Sequence, residues 1–314
     1  MTYALVADIG GTNSRFALCK TSEIELYEPR KYPNKEFASL ADVIEHYLKE
    51  VGEQPIEACL AVAGPIQHDR VKLTNIAWEF SREEYQQRFA WKRLLLKNDF
   101  TAMAMSVPHL APQNIKQIGN GTAIPHMPIS VLGPGTGLGV SGLLPQGDRW
   151  IALQGEGGNI DFSPFTDEEI ELFRIARGEL GHVRVEDFVS GSGLSYLHEV
   201  RLQLHGKPRE RLKAEEIAWR AKMEHGGVCY DTIHLFCGML GSFAGSQAMI
   251  LGAFGGVYIG GGVAPQLEEL FETSPFRTRF EAKGRFHDYV KMIPTFMMLS
   301  HSRNALIGAA ALLR

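Results

Sequence analysis

The run Tyr3-Ala-Leu-Val-Ala-Asp8-Ile9-Gly10-Gly11-Thr12-Asn13-Ser-Arg-Phe-Ala-Leu18 leaves the backbone few paths. Its apolar start, up to Ala7, reads as a buried strand, and Arg15-Phe-Ala-Leu18 reads as the return strand. Gly10 and Gly11 stand at the reversal, where a residue without Cβ can take positive φ. The expected product is a β-hairpin with one acid, Asp8, at the end of its first strand and a hydroxyl–amide pair, Thr12 and Asn13, at its tip. Backbone N–H groups in such a turn can face anionic oxygens, and an adjacent carboxylate can hold a cation beside them. Taken alone, the stretch reads either as a phosphate-and-metal cradle or as an ordinary Gly-Gly hairpin.

The same design returns about 125 residues later. Ile129-Ser-Val-Leu132 reads as a strand, Gly133-Pro-Gly135-Thr136-Gly137-Leu-Gly139 as a turn, and 140–144 as the next strand. This is the mark of an internal duplication rather than a short-period repeat. A third glycine turn, Gly260-Gly261-Gly262, follows an apolar strand and precedes a helix expected over 265–271. The two Thr-bearing turns could grip a triphosphate from both sides. No Gly-Lys-[Ser/Thr] occurs, so a Walker P-loop is excluded. The G-x-G-x-x-G at Gly137, Gly139 and Gly142 lies inside strand–turn–strand, not before a helix, and is set aside.

Around these turns the periodicity alternates between strand and helix. Strands are expected over 24–32, 58–63, 71–75, 94–96, 150–153 and 294–299, and helices over 39–51, 81–89, 100–107, 167–178, 213–224, 230–252 and 305–313, with another beginning at Leu194. The segment 108–128 carries four prolines and Gly119-Asn-Gly121 and marks a domain boundary. The expected division is a small α/β domain, 1–108 plus about 300–314, and a large α/β domain, 109–299. From Thr232 to Leu267 there are 36 residues without Asp, Glu, Lys or Arg, but repeated glycines and the absence of flanking basic clusters favour a buried helix and strand over a membrane span.

A formal net charge of −4 gives no reason to expect nucleic acid or an anionic membrane as partner. The start lacks a basic, cleavable leader, and Cys19, Cys59, Cys229 and Cys237 form no Cys-x-x-Cys, so a cytoplasmic, reducing location is expected.

Lys97-Asn98-Asp99 falls at the carboxyl end of a strand, where ligands bind in open α/β sheets. Asp99 could accept a hydroxyl proton, with Asn98 donating nearby, or it could simply cap the helix from Phe100. Gly155-Glu156-Gly-Gly-Asn159 and Val185-Glu186-Asp187 place further acids beside glycine loops. Polyol hydroxyls suit carboxylates and amides. Asp99, Glu156 and Glu186, with Asn98, Asn159 and Asn75, make such a set.

Asp8-Ile-Gly-Gly-Thr-Asn, Leu96-Lys-Asn-Asp99-Phe, Gly133-Pro-Gly-Thr-Gly-Leu-Gly139, Gly155-Glu-Gly-Gly158, Val189-Ser-Gly-Ser-Gly193-Leu and Ile259-Gly-Gly-Gly262-Val, in that order and spread nearly end to end, resemble the bacterial ATP-dependent glucokinases of the hexokinase/actin-like ATPase superfamily. The resemblance implies two ribonuclease-H-like α/β domains flanking a cleft. It implies ATP and Mg²⁺ as cofactors, D-glucose as substrate, transfer to the 6-hydroxyl, and a homodimer. It implies Asp99 as catalytic base, with sugar hydroxyls on Asn98, Asp99, Glu156 and Glu186. Asp8, Ile9, Gly10, Gly11, Thr12 and Asn13, together with Gly135, Thr136 and Gly137, would hold the β- and γ-phosphates. Gly261 and Gly262 would border the adenosine, and Asp8 would hold Mg²⁺ through water. Asn159 stands where the family usually has His; it keeps a donor and an acceptor but does not titrate near neutrality. The zinc-binding Cys cluster of the repressor/open-reading-frame/kinase relatives is absent. Three alternatives stay open: a sugar-responsive regulator, for which no helix-turn-helix extension fits before Tyr3, an actin-like ATPase without a sugar set, and a kinase for another hexose such as fructose, mannose or N-acetylmannosamine.

Overall fold

The opening run forms a hairpin: β1 (Tyr3–Ile9) pairs antiparallel with β2 (Asn13–Lys20), and Asp8 faces Arg15 across the pair. The reason for its glycines differs from the expected one. Neither Gly10 nor Gly11 takes a left-handed φ. At Gly10 a Cβ would lie 3.2 Å from the Asn13 carbonyl oxygen, a tight contact that a shift of a few tenths of an ångström would relieve.

The computed structural model describes all residues except 1–2, 21–22, 65, 67–68, 74–75 and 300–302, so Asn75 lies outside the described residues. The chain divides into two units, Met1–Ala111 with Ser300–Arg314, and Pro112–Leu299.

In the first unit β3 (Leu26–Pro33), β4 (Glu57–Val62) and β7 (Arg93–Asn98) complete a sheet of order β3-β2-β1-β4-β7, while β5 (Arg70–Lys72) and β6 (Glu79–Ser81) form a separate small ribbon. The β1–β2–β3 pairs are antiparallel and the β1–β4–β7 pairs parallel. A bulge opposite Phe16–Leu18 places Glu28 at φ 49° within β3, which runs Leu26–Pro33 where a strand was expected over 24–32. Alternation assigns the two faces. Leu5, Ala7 and Ile9 pack under α1 (Leu40–Val51), whose Ser39 cap accepts from the Asp42 N–H at 3.2 Å. Ala4 and Val6 pack under the C-terminal helix. Helices α2 (Arg82–Arg88) and α3 (Asp99–Ser106) flank β7.

The second unit repeats this winding. Its sheet runs β11 (Arg149–Gly155), β10 (Leu138–Gln146), β9 (Ile129–Pro134), β12 (Val257–Ile259), β13 (Thr295–Met298), β8 (Ile115–Ile118). Again three antiparallel strands lead to two parallel ones, and β8 adds an antiparallel edge. β8 lies inside the 108–128 segment expected to mark a domain boundary. Its polar run Ile-Lys-Gln-Ile becomes a strand only because β13 supplies the ladder.

Helices α4 (Asp167–Leu180), α5 (Gly191–Leu204), α6 (Ala214–Met223) and α7 (Val228–Leu251) join β11 to β12; α8 (Glu268–Thr273), α9 (Phe276–Glu281) and α10 (His287–Lys291) join β12 to β13. Helix α7 is long and apolar enough to cross a membrane by length and composition alone, yet 61% of its most apolar window is buried inside the fold. Its Gly241 explains the packing: a Cβ there would meet the Phe276 carbonyl oxygen at 2.1 Å, so α9 lies directly on the glycine face. The closing helix α11 (Asn304–Leu313) returns to the first unit and packs on α3.

Candidate active site

In the first unit the parallel register aligns Ile9 with Val62 and Val62 with Asn98. The ends of β1 and β7 therefore share one carboxyl edge, two strand spacings or roughly 10 Å apart. This edge holds Asp8–Asn13 at one strand and Asn98–Asp99 at the other. Asn98 is the N-cap of α3. Its Oδ1 accepts from the Phe100 and Thr101 N–H groups at 2.9 and 3.3 Å, and its Nδ2 donates to the Gly64 carbonyl at 3.4 Å. Capping, expected as the alternative role of Asp99, belongs to Asn98. Asp99 is the first residue of α3, partly exposed, and its Oδ1 accepts from the Phe100 N–H at 2.8 Å. A helix N-terminus favours the negative charge it carries.

The Gly10–Thr12 turn is braced by a residue the sequence did not single out. Asn34, 2% exposed, follows β3; its Nδ2 donates to the Gly10 carbonyl at 2.7 Å, its N–H to the Thr12 carbonyl at 2.9 Å, and its Oδ1 accepts from Ser14 Oγ at 2.7 Å. Gly10 N–H closes the turn on the Asn13 carbonyl at 3.1 Å. With the carbonyls thus occupied, the Gly11 and Thr12 N–H groups have no acceptor among the described residues. Asp8 beside them is bound by Arg15 at 3.1 Å through Oδ2. Burial pushes its carboxyl above the usual range, and Arg15 draws it part of the way back. Among the described residues no group of three or more His, Cys, Asp or Glu could hold a metal. A single carboxylate next to unpaired amides fits a different arrangement, in which Mg²⁺ arrives with phosphates and keeps most of its water.

In the second unit the other predicted residues meet. The Gly135–Gly137 turn links β9 to β10, with Gly135 N–H on the Gly137 carbonyl at 2.8 Å. The start of α5 holds it: Gly191 N–H donates to the Gly135 carbonyl at 2.7 Å and Ser192 Oγ to the Thr136 carbonyl at 2.9 Å. Here too Thr136 and Gly137 keep N–H groups with no acceptor among the described residues. Gly261, at φ +77°, lies against the end of β9, where a Cβ would fall 2.4 Å from the Pro134 carbonyl oxygen; no other residue type fits there. The turns, the α5 start and the segment before α6 enclose a cleft of about 710 Å³ lined by Thr136, Ser192, Lys213, Gly262, Val263 and Gln266.

Glu156 is exposed, just before the 3₁₀ turn Gly157–Asn159, and its carbonyl accepts from Asn159 N–H at 2.9 Å. Glu186 is largely buried, and its Oε2 accepts from the Leu138 N–H at 3.2 Å, tying it to the Gly135–Gly137 turn. Arg184, absent from the sequence reading, donates to Asn159 Oδ1 and to Glu186 Oε1, each at 2.8 Å. Glu156, Asn159, Glu186 and the second glycine turn thus form one neighbourhood. Asn75 lies outside the described residues.

The family model described as Glucokinase matches residues 5–314. The chain is 42% identical over 313 residues to the glucokinases of Yersinia pestis (strain Pestoides F) and Yersinia pseudotuberculosis (serotype O:1b, strain IP 31758), spanning 100% of this chain and 97% of each relative. The crystal structure of a glucokinase from an Antarctic psychrotroph aligns with a TM-score of 0.91 at 37% identity, over 100% of this chain and 99% of that one. A glucokinase from Balamuthia mandrillaris in complex with glucose shares the fold, with a TM-score of 0.83 at 23% identity over 100% of this chain and 94% of that one. These likenesses set the chain among the ATP-dependent hexose kinases. It belongs to the glucokinase family.

Proposed function

We infer that this chain transfers the γ-phosphoryl group of ATP to the 6-hydroxyl of D-glucose, giving glucose 6-phosphate and ADP. The observation that carries this reading is the match to the glucokinase family along residues 5–314. The repeated five-strand winding supports reading the units as two ribonuclease-H-like domains of the actin-like ATPase type.

Each unit contributes a distinct part. The first supplies Asp99 as general base for the sugar hydroxyl, Asn98 beside it, and the Gly11 and Thr12 amides for phosphate oxygens. The second supplies the Thr136 and Gly137 amides, the cleft bordered by Gly262 for the adenosine, and Glu156, Asn159 and Glu186 for sugar hydroxyls. Mg²⁺, when bound, neutralises charge on the transferring phosphates, and Asp8 is the residue that would hold it through water. Phosphoryl transfer depends on positioning and charge neutralisation more than on covalent help. The reading includes a homodimer and a cytoplasmic location; four unpaired, buried cysteines support a reducing compartment.

A panel of hexoses in one coupled ADP assay tests it. Glucose should give the highest kcat/KM, with ADP release near background when sugar is omitted. Release independent of sugar would point to an ATPase, and preference for another hexose would reassign the substrate.

Two further results are expected. Asp8→Ala should raise the Mg²⁺ concentration needed for half-maximal rate by about tenfold or more, one charge-assisted contact being worth about 1.5–3 kcal/mol; an unchanged Mg²⁺ titration would contradict the assignment. Asn34→Ala should raise the KM for ATP several-fold and destabilise the protein by about 1–3 kcal/mol, because the Gly10 carbonyl and Ser14 lose a buried partner. ATP titration and a thermal melt on the same preparation check both effects.

A further inference from the structure

Arg184 occupies an unusual place among the sugar-site residues of the second unit. Its guanidinium is clamped by Asp187, with Nη2 to Oδ1 at 2.6 Å and Nε to Oδ2 at 3.2 Å, and Asp187 Oδ2 also accepts from the Arg184 N–H at 2.7 Å. The clamped group then gives Nη1 to Asn159 Oδ1 and to Glu186 Oε1 together, both at 2.8 Å. Backbone bonds hold the two segments in register: Val185 N–H donates to the Ile160 carbonyl at 2.9 Å, and Phe162 N–H to the Val183 carbonyl at 3.0 Å.

A guanidinium donates five N–H bonds and accepts none. The Asn159 atom facing it must therefore be the carbonyl oxygen, which leaves the NH₂ end as the donor available to a ligand; it has no acceptor among the described residues. Glu186 spends one lone pair on Arg184 and one on the Leu138 N–H, and each carboxylate oxygen keeps another. The result is a fixed donor beside a fixed acceptor. That pair matches hydroxyl groups of a polyol, one oxygen accepting from Asn159 and one O–H donating to Glu186.

We propose that Arg184 is a positioning residue that sets the donor-and-acceptor polarity of Asn159 and Glu186, and so decides which sugar hydroxyl arrangement the enzyme takes. The proposal rests on the glucokinase reading above and deepens it. Without Arg184 the Asn159 amide can turn either end outward, and Glu186 loses the contact that orients it. Lysine does not replace the fork, since an ammonium is a single point charge that cannot hold Asp187 bidentately while serving two further acceptors.

The test compares the unaltered chain with Arg184→Met and Arg184→Lys, using ATP with glucose and with the series of singly deoxygenated glucoses. Arg184 is 40% exposed, so both variants should fold, and a thermal melt checks this. For both variants the KM for glucose should rise about 10–100-fold, the loss of one or two charge-assisted hydrogen bonds, while kcat and the KM for ATP stay within about threefold. The penalty for one or two of the deoxy sugars should shrink towards unity in the variants, because the hydroxyl removed is the one whose partners are no longer fixed. An unchanged deoxy profile overturns the proposal, whether glucose KM stays constant or all parameters fall together with the melting temperature. Full recovery by Lys overturns it too. If the unaltered chain phosphorylates no hexose, the glucokinase reading itself fails; if it turns over glucose and only the Arg184 series is silent, the reading stands and this inference alone is lost.

Discussion

Asp99→Asn is expected to lower kcat by about 10²–10⁴, the range seen when a general base is removed, while the KM values for glucose and ATP change far less. The substitution keeps the size and shape of the side chain and leaves the helix cap in place. Asn98, not Asp99, caps α3, through its contacts to the Phe100 and Thr101 N–H groups. An asparagine at 99 still offers an oxygen to the Phe100 N–H, which Asp99 Oδ1 accepts at 2.8 Å. What disappears, on the proposed assignment, is the ability to take a proton from the attacking hydroxyl. Asn98→Ala makes the useful contrast. It should cost about 1 kcal/mol of stability from the lost cap, and its kinetic effect should fall on sugar affinity through a shifted α3 start. Steady-state coupled assays of the two variants separate the roles. Near-normal turnover in Asp99→Asn would remove Asp99 from catalysis.

Much of this edge was legible because it is built from local signals. A strand that ends in Gly-Gly-Thr, or in Lys-Asn-Asp before an apolar helix, states its own turn within a few residues. The duplication was legible for the same reason, as the strand–turn–strand unit is itself short. What the sequence did not disclose depends on partners far along the chain. Asn34 is an ordinary polar residue after Pro33 until the β3–β2–β1 pairing brings it under Gly10, 24 positions away. Arg184 reads as a surface charge until the Ile160–Val185 bond zips its segment to the Asn159 loop. β8 does not read as a strand because two polar residues separate its two isoleucines and prolines stand close by; its strand character comes from β13. Helices α9 and α10 are a turn or two long, too short to show a period of their own, and form because α7 and Val290's buried surroundings receive them. Gly10 teaches a narrower lesson: the positive φ expected of it is not used, and a Cβ there would make only a tight contact with a carbonyl.

Arg279→Met is expected to destabilise the second unit by about 3–5 kcal/mol, the range for stranding one partner of a buried ion pair. Glu169 is 0% exposed and Arg279 8%. They meet bidentately, Nη1 to Oε1 at 2.7 Å and Nη2 to Oε2 at 3.1 Å. Arg279 Nε also donates to Ser242 Oγ at 2.9 Å, and its guanidinium lies over the Phe165 ring at 4.2 Å from the centroid. The pair therefore joins the first turn of α4, the middle of α7 and α9 into one block directly downstream of the Glu156–Asn159 loop. Methionine fills most of the volume but leaves the Glu169 carboxylate, among the described residues, with only the Phe165 N–H at 2.7 Å to offset a buried charge. A drop of that size corresponds to roughly 6–20 °C in melting temperature for a unit of this length. Adding Glu169→Gln to Arg279→Met removes the stranded charge while keeping an acceptor for Phe165, so the double variant should be more stable than Arg279→Met alone. That ordering distinguishes charge stranding from simple loss of packing, which predicts that two substitutions are worse than one. Because neither residue belongs to the proposed sugar or nucleotide set, kcat well below the melting transition should stay close to that of the unaltered chain.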